Sequence, residues 1–274
     1  MTDRWVEVGD GVLVRRHAEL DLCTGLVVGD GACLVIDTRS DPGQGAELAA
    51  AVRAVTPHPW MVVLTHAHFD HCLGTAAFLP APVWAHPRCR DDLARGGGAQ
   101  HAEAARWART QHRAAPARVR PVLPDRIVES RAELDVGGRS VLLTHLGRGH
   151  TDHDLVVHVP GAGVVFAGDL VEQGAPPVFE DAHPLEWPGT VTALLRLRAG
   201  TVVPGHGEPV TPEFVVTQRD ELAAVAGLCR ALRAGELDIA TALPRSPYDP
   251  STTRIALGTS NPQPDPLRPG HEGE

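Results

Sequence analysis

The sequence predicts an α/β protein built from two similar halves that face each other. Three observations support this fold class. Short runs of branched apolar residues, typical of buried strands, recur along the chain. Segments with the spacing of packed helices lie between several of these runs. In both halves, polar side chains of types that bind metal come immediately after predicted strands, as at His66 and His206. The carboxyl ends of strands are where α/β proteins place their catalytic and binding residues.

The composition of the 274-residue chain is that of a globular protein and disfavours two classes of partner. Hydrophobic residues make up 43% of the chain, which is enough for a sizeable core. All 25 basic residues are Arg, a bias typical of a GC-rich genome. The formal net charge is −9 and there is no basic run, which argues against nucleic acid or an anionic membrane as partner. We therefore expect a small-molecule substrate and leave the oligomeric state open.

The five cysteines favour a reducing compartment. Their number is odd and no CxxC pair occurs, so neither a disulfide framework nor a cysteine zinc site is indicated. The first residues lack the basic and apolar regions of a signal peptide. No apolar run approaches the length of a membrane span. We expect a cytoplasmic protein.

The first half opens with a predicted β-meander over residues 5–40. Its strongest hairpin signal is the turn Gly29-Asp30-Gly31. A break is predicted at residues 41–42, followed by a helix over residues 46–55 with regular Ala, Leu and Val spacing. The apolar run at residues 60–64 is short and branched, and predicts a buried strand.

A dense polar cluster follows that strand, with His66, His68, Asp70 and His71 inside six residues. In extended backbone the spacing of two points His66 and His68 to the same side; Asp70 continues the alternation and His71 turns away. A lone histidine at a strand end is usually structural. Three histidines and an Asp this close would be a costly structural solution, because buried polar groups need partners and like charges repel. The stretch therefore predicts metal binding, with one ion at His66 and His68 and a second at Asp70 and His71.

The chain between the two halves is less regular. We expect a short helix over residues 72–79, a strand over 82–85 and a further helical stretch over 91–95. His86 after that strand is interpreted as a structural or rim residue. Residues 99–115 predict an amphipathic helix, which is either a lid or simply a solvated helix.

The second half repeats the pattern of a strand followed by a polar residue. His150 is predicted in a loop between strands, and Asp169 at the C-terminal end of a strand. A buried strand over residues 201–203 leads to His206, and helices are expected over residues 191–198 and 212–234.

The predicted domain covers residues 1–240. Residues 241–274 are rich in Pro, Ser, Asp and Gly, a composition that predicts a poorly ordered tail.

Taken in order, the strand-end candidates form one ordered set: His66, His68, Asp70, His71, His150, Asp169 and His206. This set resembles the metallo-β-lactamase superfamily, whose signature is HxHxDH followed by three later ligands. The resemblance covers roughly residues 10–210. It implies a four-layer αβ/βα sandwich, and the order of predicted strands and helices agrees with that fold.

The resemblance also implies two metal ions. One would be bound by His66, His68 and His150, and the second by Asp70, His71 and His206, with Asp169 bridging them. Such ligands suit zinc, and also iron or manganese. Two ions roughly 3.5–4 Å apart share a water and lower its pKa, so that hydroxide attacks an ester, thioester or related bond. Asp70 is the candidate catalytic residue, because it could orient the nucleophile or accept its proton.

Departures from the pattern narrow the branch of the superfamily. Asp169 favours a glyoxalase II-like branch, because true β-lactamases generally lack the bridging Asp. His68 stands where the flavodiiron branch usually carries Glu. Residues 211–274 look too short and too Pro-rich for the glutathione-binding helical domain of glyoxalase II. The acidic balance disfavours the RNA-processing branch, and the lone Tyr248 lies too far along the chain for the lactonase branch.

Several alternatives stay open. The main one is an oxidoreductase of the persulfide dioxygenase type with a single iron; a non-catalytic binding module is disfavoured by the intact ligand set. Asp37 could support a ligand or be a simple turn carboxylate. Asp152, His153 and Asp154 could bond to ligand imidazoles or cap their own loop. Substrate contacts are expected from residues 170–188 and from Arg148, which could pair with a carboxylate.

Overall fold

Two β-sheets lie face to face between layers of helices in the computed structural model, which describes residues 3–95, 102, 104–105 and 119–258. The first sheet has seven strands in chain order, namely β1 (Trp5–Gly9), β2 (Val12–Arg16), β3 (Cys23–Val28), β4 (Cys33–Ile36), β5 (Trp60–Val63), β6 (Val83–Ala85) and β7 (Arg126–Ile127). The second has five strands in the order β12-β11-β10-β9-β8, namely β8 (Arg131–Val136), β9 (Arg139–His145), β10 (Leu155–Val159), β11 (Val164–Glu172) and β12 (Thr201–His206).

The described helices flank these sheets. They are α1 (Pro42–Val55), α2 (Phe69–Cys72), α3 (Pro87–Ala94), α4 (Trp187–Leu195), α5 (Pro212–Arg233), α6 (Ile239–Ala242) and α7 (Pro250–Gly258), with short 3₁₀ helices at Thr75–Phe78, Pro160–Ala162 and Leu243–Arg245. None of the described helices is long and apolar enough to cross a membrane.

Each sheet contains a parallel section that leads to the candidate residues. Strands β4, β5, β6 and β7 pair in parallel, whereas β1 to β4 pair antiparallel. Among the described strands of the second sheet, only β11 and β12 pair in parallel. Parallel strands end at the same edge of their sheet. In the second sheet, β11 and β12 therefore bring Asp169 and His206 together. In the first sheet, the polar residues after β5 follow a strand of its parallel section.

Three apolar clusters separate four layers. Leu48 and Val52 of α1 pack with Val62 of β5 on the outer face of the first sheet. Side chains from both sheets, such as Val63 and Val157, form the cluster between them. On the outer face of the second sheet, the cluster contains residues from α4, α5 and α7, of which Val191, Leu222 and Leu257 are examples. The predicted four-layer αβ/βα sandwich is confirmed.

Two helices begin earlier than the sequence predicts. α1 starts at Pro42, where we expected a break, because the Asp41 carboxylate accepts a hydrogen bond from Gln44 N at 2.8 Å. A capping Asp followed by Pro at the first helical position is a favourable helix start. α3 starts at Pro87 in the same way, with His86 Nδ1 accepting from Arg88 N at 3.2 Å. His86 is therefore a structural residue of the helix start.

We expected residues 241–274 to form a poorly ordered tail. The described part of this segment, residues 241–258, differs from that prediction. Residues 241–258 belong largely to helices, and α7 buries Ala256 and Leu257 against the cluster that contains α5. The composition misled us because Pro250 stands at the start of a helix, where proline is well tolerated. Residues 259–274 lie outside the described part. So does most of the predicted helix over residues 99–115, of which residues 102, 104 and 105 are described as helical.

Candidate metal centre

The seven candidate ligands come from four segments; six of them are buried and His206 is partly buried. His66 and His68 follow β5, and His150 lies in the loop between β9 and β10. Asp70 and His71 lie on the helical turn α2. The directions of their side chains are therefore set by a helical turn, whereas we expected Asp70 to continue the extended backbone of His66 and His68. Asp169 lies within β11, which runs on to Glu172, whereas we expected the strand to end there. His206 ends β12.

The donor atoms of these residues form two groups, each with all donor atoms within 4.8 Å of one another. We call the first group, His66, His68, His150 and Asp169, the first cluster. We call the second group, Asp70, His71 and His206, the second cluster. Asp169 connects the two clusters. Its Oδ2 lies 3.5 Å from His150 Nε2 in its own cluster and 3.2 Å from His206 Nε2 in the second.

The donor atoms inside each cluster are close together. In the first cluster His150 Nε2 lies 2.8 Å from His68 Nδ1, and His66 Nε2 lies 3.7 Å from Asp169 Oδ2. In the second cluster the Nε2 atoms of His71 and His206 are 3.4 Å apart. Asp70 Oδ2 is also 3.4 Å from His206 Nε2. The structure therefore brings together all seven residues that the sequence singled out.

The outer ring nitrogens of the second cluster are held by groups from loops that adjoin strands of the first sheet. His71 Nδ1 donates to Asp37 Oδ2 at 2.8 Å, and His206 Nδ1 donates to the carbonyl oxygen of Leu20 at 2.8 Å. Asp37 also accepts from both Thr65 N and Thr65 Oγ1 at 2.8 Å. Of the two alternatives for Asp37, the structure favours the one in which it positions a candidate ligand.

The outer ring nitrogens of the first cluster have three different acceptors. His66 Nδ1 donates to Thr65 Oγ1 at 3.0 Å. His150 Nδ1 donates to the carbonyl oxygen of Val178 at 3.3 Å, and His68 Nε2 donates to Asp181 Oδ2 at 3.1 Å. Every candidate imidazole thus has its outer N–H bonded, the arrangement that fixes ring orientation in metal sites.

The donor set fits a bound cation. With the outer nitrogens protonated, the inner nitrogens of His68 and His150 are both bare and face each other, so neither can donate a hydrogen bond to the other. His66 Nε2 is buried and has no hydrogen-bond partner in the described part of the chain, and the buried Asp169 Oδ1 has only the ion-pair contact at 3.2 Å with His71 Nε2 there. Buried lone pairs without partners are costly. A divalent ion of the kind that takes imidazole and carboxylate ligands would satisfy them.

The charges of the site are organised around the carboxylate of Asp169. Burial lowers the pKa of His150 to about 4, so this ring is neutral near pH 7. Burial also disfavours charge on His206, but Asp169 outweighs it and raises the pKa of His206 to about 10. Burial likewise opposes ionisation of Asp169, yet His71 and His206 hold the pKa of its carboxyl well below the usual range. An ionised carboxylate therefore lies at the centre of the site.

Gly205 allows β12 to pass close to this carboxylate on β11. A Cβ atom at position 205 would lie 1.8 Å from Asp169 Oδ1, which no side chain could accommodate. Only glycine permits such a close approach.

The residues beside His150 cap their own loop. Asp154 accepts hydrogen bonds from Thr151 N at 2.9 Å and from Thr151 Oγ1 at 2.8 Å. His153 Nδ1 donates to Asp152 Oδ1 at 2.8 Å, and His153 Nε2 accepts from Ala67 N at 3.2 Å. The loop-capping alternative is thus the one observed, and His153 also supports the backbone between His66 and His68.

Arg148 lies two residues before His150 with about half of its side chain exposed. Its Nη1 is 3.8 Å from Glu186 Oε1, and its carbonyl oxygen accepts from Thr190 Oγ1 at 2.6 Å. The backbone is thus fixed while the guanidinium remains accessible.

Sequence reasoning missed four supports of the imidazoles. Two of them are backbone carbonyls, at Leu20 and Val178, for which a sequence carries no signal. Thr65 stands directly before His66, so its hydroxyl could have been proposed from position alone. Asp181 lies in an irregular stretch with no periodic pattern to indicate its neighbours.

Comparisons with known proteins agree with the site and the fold. Residues 24–206 match the family model described as the metallo-beta-lactamase superfamily. Acyl-coenzyme A thioesterase MBLAC2 of Gallus gallus is 30% identical over 165 residues, which cover 55% of this chain and 57% of that protein. The chain thus spans less than two thirds of that curated relative.

Two solved structures share the fold. The sec-alkylsulfatase Pisa1 from Pseudomonas sp. has a TM-score of 0.76 at 17% identity and covers 92% of this chain and 49% of its own. A metallo-beta-lactamase from Pontibacter korlensis has a TM-score of 0.62 at 19% identity, with coverage of 80% and 98%. With the family model matching well over half of the chain, this protein belongs to the metallo-β-lactamase superfamily.

Proposed function

We propose that the protein is a hydrolase that uses two divalent metal ions to cleave a thioester of a small molecule. The observation that carries the proposal is the position of Asp169, an ionised carboxylate in contact with two groups of inward-facing donor atoms. The choice of a thioester over an ester rests on the similarity to a protein named as an acyl-coenzyme A thioesterase. The central Asp169 also supports the glyoxalase II-like, non-lactamase branch.

The residues have distinct roles in this proposal. The first cluster would hold one ion and the second cluster the other, with Asp169 between them. When bound, such ions polarise a carbonyl oxygen and lower the pKa of a water nucleophile. Asp70 is the proposed catalytic residue, because its buried carboxylate could accept a hydrogen bond from that water and orient it. Asp37 and Thr65 keep the imidazoles in the tautomer that presents bare nitrogens to the site.

Arg148 is the proposed substrate-binding residue. Its accessible guanidinium, two residues from His150, could form paired hydrogen bonds with an anionic group on the thioester. The existence of the second cluster supports two ions, in contrast to the single iron of the persulfide dioxygenase-like alternative. Zinc as the metal and a cytoplasmic location are part of the same proposal and rest on the donor set and the cysteine content.

Metal analysis and a thioesterase assay test the proposal together. Protein purified without chelator should carry close to two equivalents of zinc, iron or manganese and release free thiol from acyl-coenzyme A. Chelator should abolish this release, and added metal should restore it. Less than one equivalent of metal, or oxygen uptake with a persulfide by the iron-loaded protein, would contradict the proposal.

The same assay examines Arg148. The Arg148→Ala variant should raise KM for acyl-coenzyme A up to about fivefold and leave kcat close to wild type, since an exposed charge pair contributes about 0.2–1 kcal/mol. A neutral thioester should show no such rise. An equal rise with both substrates would remove Arg148 from the substrate site.

A further inference from the structure

His68 differs from the other candidate imidazoles in the nitrogen it presents. His66, His71, His150 and His206 direct Nε2 into the site and bond their Nδ1 atoms to acceptors outside it. His68 does the reverse, with Nδ1 2.8 Å from His150 Nε2 and its Nε2 atom directed outward. The proton on His68 must therefore reside on Nε2 if its Nδ1 is to have a free lone pair.

Asp181 supplies the acceptor that fixes this proton. Its Oδ2 lies 3.1 Å from His68 Nε2, within normal hydrogen-bonding distance. A carboxylate in this position selects the tautomer, restricts rotation of the ring and makes the opposite nitrogen more basic. The same short stretch of chain provides the Val178 carbonyl that holds His150.

The exposure of Asp181 separates its role from that of a core residue. Its side chain is 57% exposed, whereas that of Asp37, the carboxylate behind His71, is 3% exposed. Removal of this exposed side chain leaves no buried cavity, and water that reaches the vacated position can accept from His68 Nε2, so the change has little effect on fold stability. The hydrogen bond to His68 can therefore be removed separately from the fold.

We propose that Asp181 is a positioning residue for the first cluster, which orients His68 and fixes its tautomer so that this cluster binds its ion tightly. The proposal rests on the metal centre proposed above. It predicts that the two ions depend on different parts of the chain. The ion in the first cluster depends on the irregular segment between β11 and α4, and the ion in the second cluster does not.

The test compares wild type with Asp181→Ala, Asp181→Asn and the matched control Glu180→Ala, which removes an exposed carboxylate one residue away. Stepwise competition with a chelator measures the affinity of each of the two zinc sites. Histidine ¹⁵N NMR of the metal-free protein reports which ring nitrogen of His68 carries a proton. Thermal unfolding of the metal-free protein reports any effect on the fold.

Asp181→Ala should weaken one zinc site about 10- to 100-fold, the usual effect of losing an outer partner of a metal-bound histidine. The other site, the melting temperature of the metal-free protein and the Glu180→Ala control should stay as in wild type. Asp181→Asn keeps a hydrogen-bond acceptor without the charge, so its loss of zinc affinity should be smaller. The ¹⁵N signals of His68 should change in Asp181→Ala and stay as in wild type in Glu180→Ala.

Three results would overturn the inference. They are wild-type affinity for both ions in Asp181→Ala, equal weakening of both sites in this variant, and a lower melting temperature of its metal-free form together with weaker metal binding. Failure of the wild-type protein to bind zinc is a separate result, because it would remove the proposed function and this inference with it.

Discussion

The two clusters differ in where their supports come from. The second cluster is held by Asp37 and by the Leu20 carbonyl, both contributed by the N-terminal half. The first cluster is held in part by Val178 and Asp181, which lie in the irregular segment between β11 and α4. Because the carboxylate behind the second cluster is buried and that behind the first is exposed, metal affinity should be linked to fold stability in one cluster and separable from it in the other.

The largest effect is expected at the residue that the clusters share. Asp169→Asn should lower kcat/KM about 1,000-fold, the upper end of what removal of one active-site electrostatic group causes. It should also weaken the binding of both ions, whereas a change at Asp181 should weaken the binding of one. Steady-state kinetics and metal content check this. Two retained ions with activity within tenfold of wild type would show that Asp169 does not connect the clusters.

The next largest effect separates the two supporting carboxylates. Asp37→Asn should lower the free energy of unfolding of the metal-free protein by about 3 kcal/mol, because Thr65 and His71 lose a buried acceptor. Asn tolerates the positive φ of 61° at this position, so backbone strain is not the cause. Asp181→Asn, the matched control, should change it by about 0.5 kcal/mol or less. Urea unfolding of both variants checks this, and equal losses would contradict the comparison.

A smaller effect on the free energy of unfolding is expected at acid pH from His17, which lies beside the loop that supports His206. His17 N donates to Leu22 O at 2.8 Å and closes the loop whose Leu20 carbonyl holds His206. Burial first, and then the charges of Arg39 and Arg15, lower the pKa of His17 to about 3. Between pH 6.5 and 3 the unfolded chain binds a proton that the folded chain does not, so stability falls as pH falls.

At pH 5 this contribution amounts to about 2 kcal/mol relative to pH 7.5. His17→Gln should remove it. Urea unfolding of wild type and variant at both pH values isolates the contribution of His17 from that of the other histidines. An unchanged pH dependence in the variant would show that His17 does not titrate in this way.

The candidate ligands could be predicted from sequence because their chemistry is rare and local. The grouping His66-Ala67-His68-Phe69-Asp70-His71 has few structural explanations, and the later residues each follow a recognisable strand. The supports could not be predicted, because a carbonyl such as that of Val178 or a carboxylate such as Asp181 acquires its role only when distant segments meet. The C-terminal helices were missed because composition does not show that Pro250 stands at a helix start.

Gly205 has a consequence for how this chain can vary during evolution. Any side chain at position 205 would collide with the carboxylate of Asp169. A side chain at position 205 is therefore compatible with the site only in a chain that has first lost or displaced the central carboxylate. A chain that changed in this order would lose the residue that joins its two clusters before it gained any freedom at position 205.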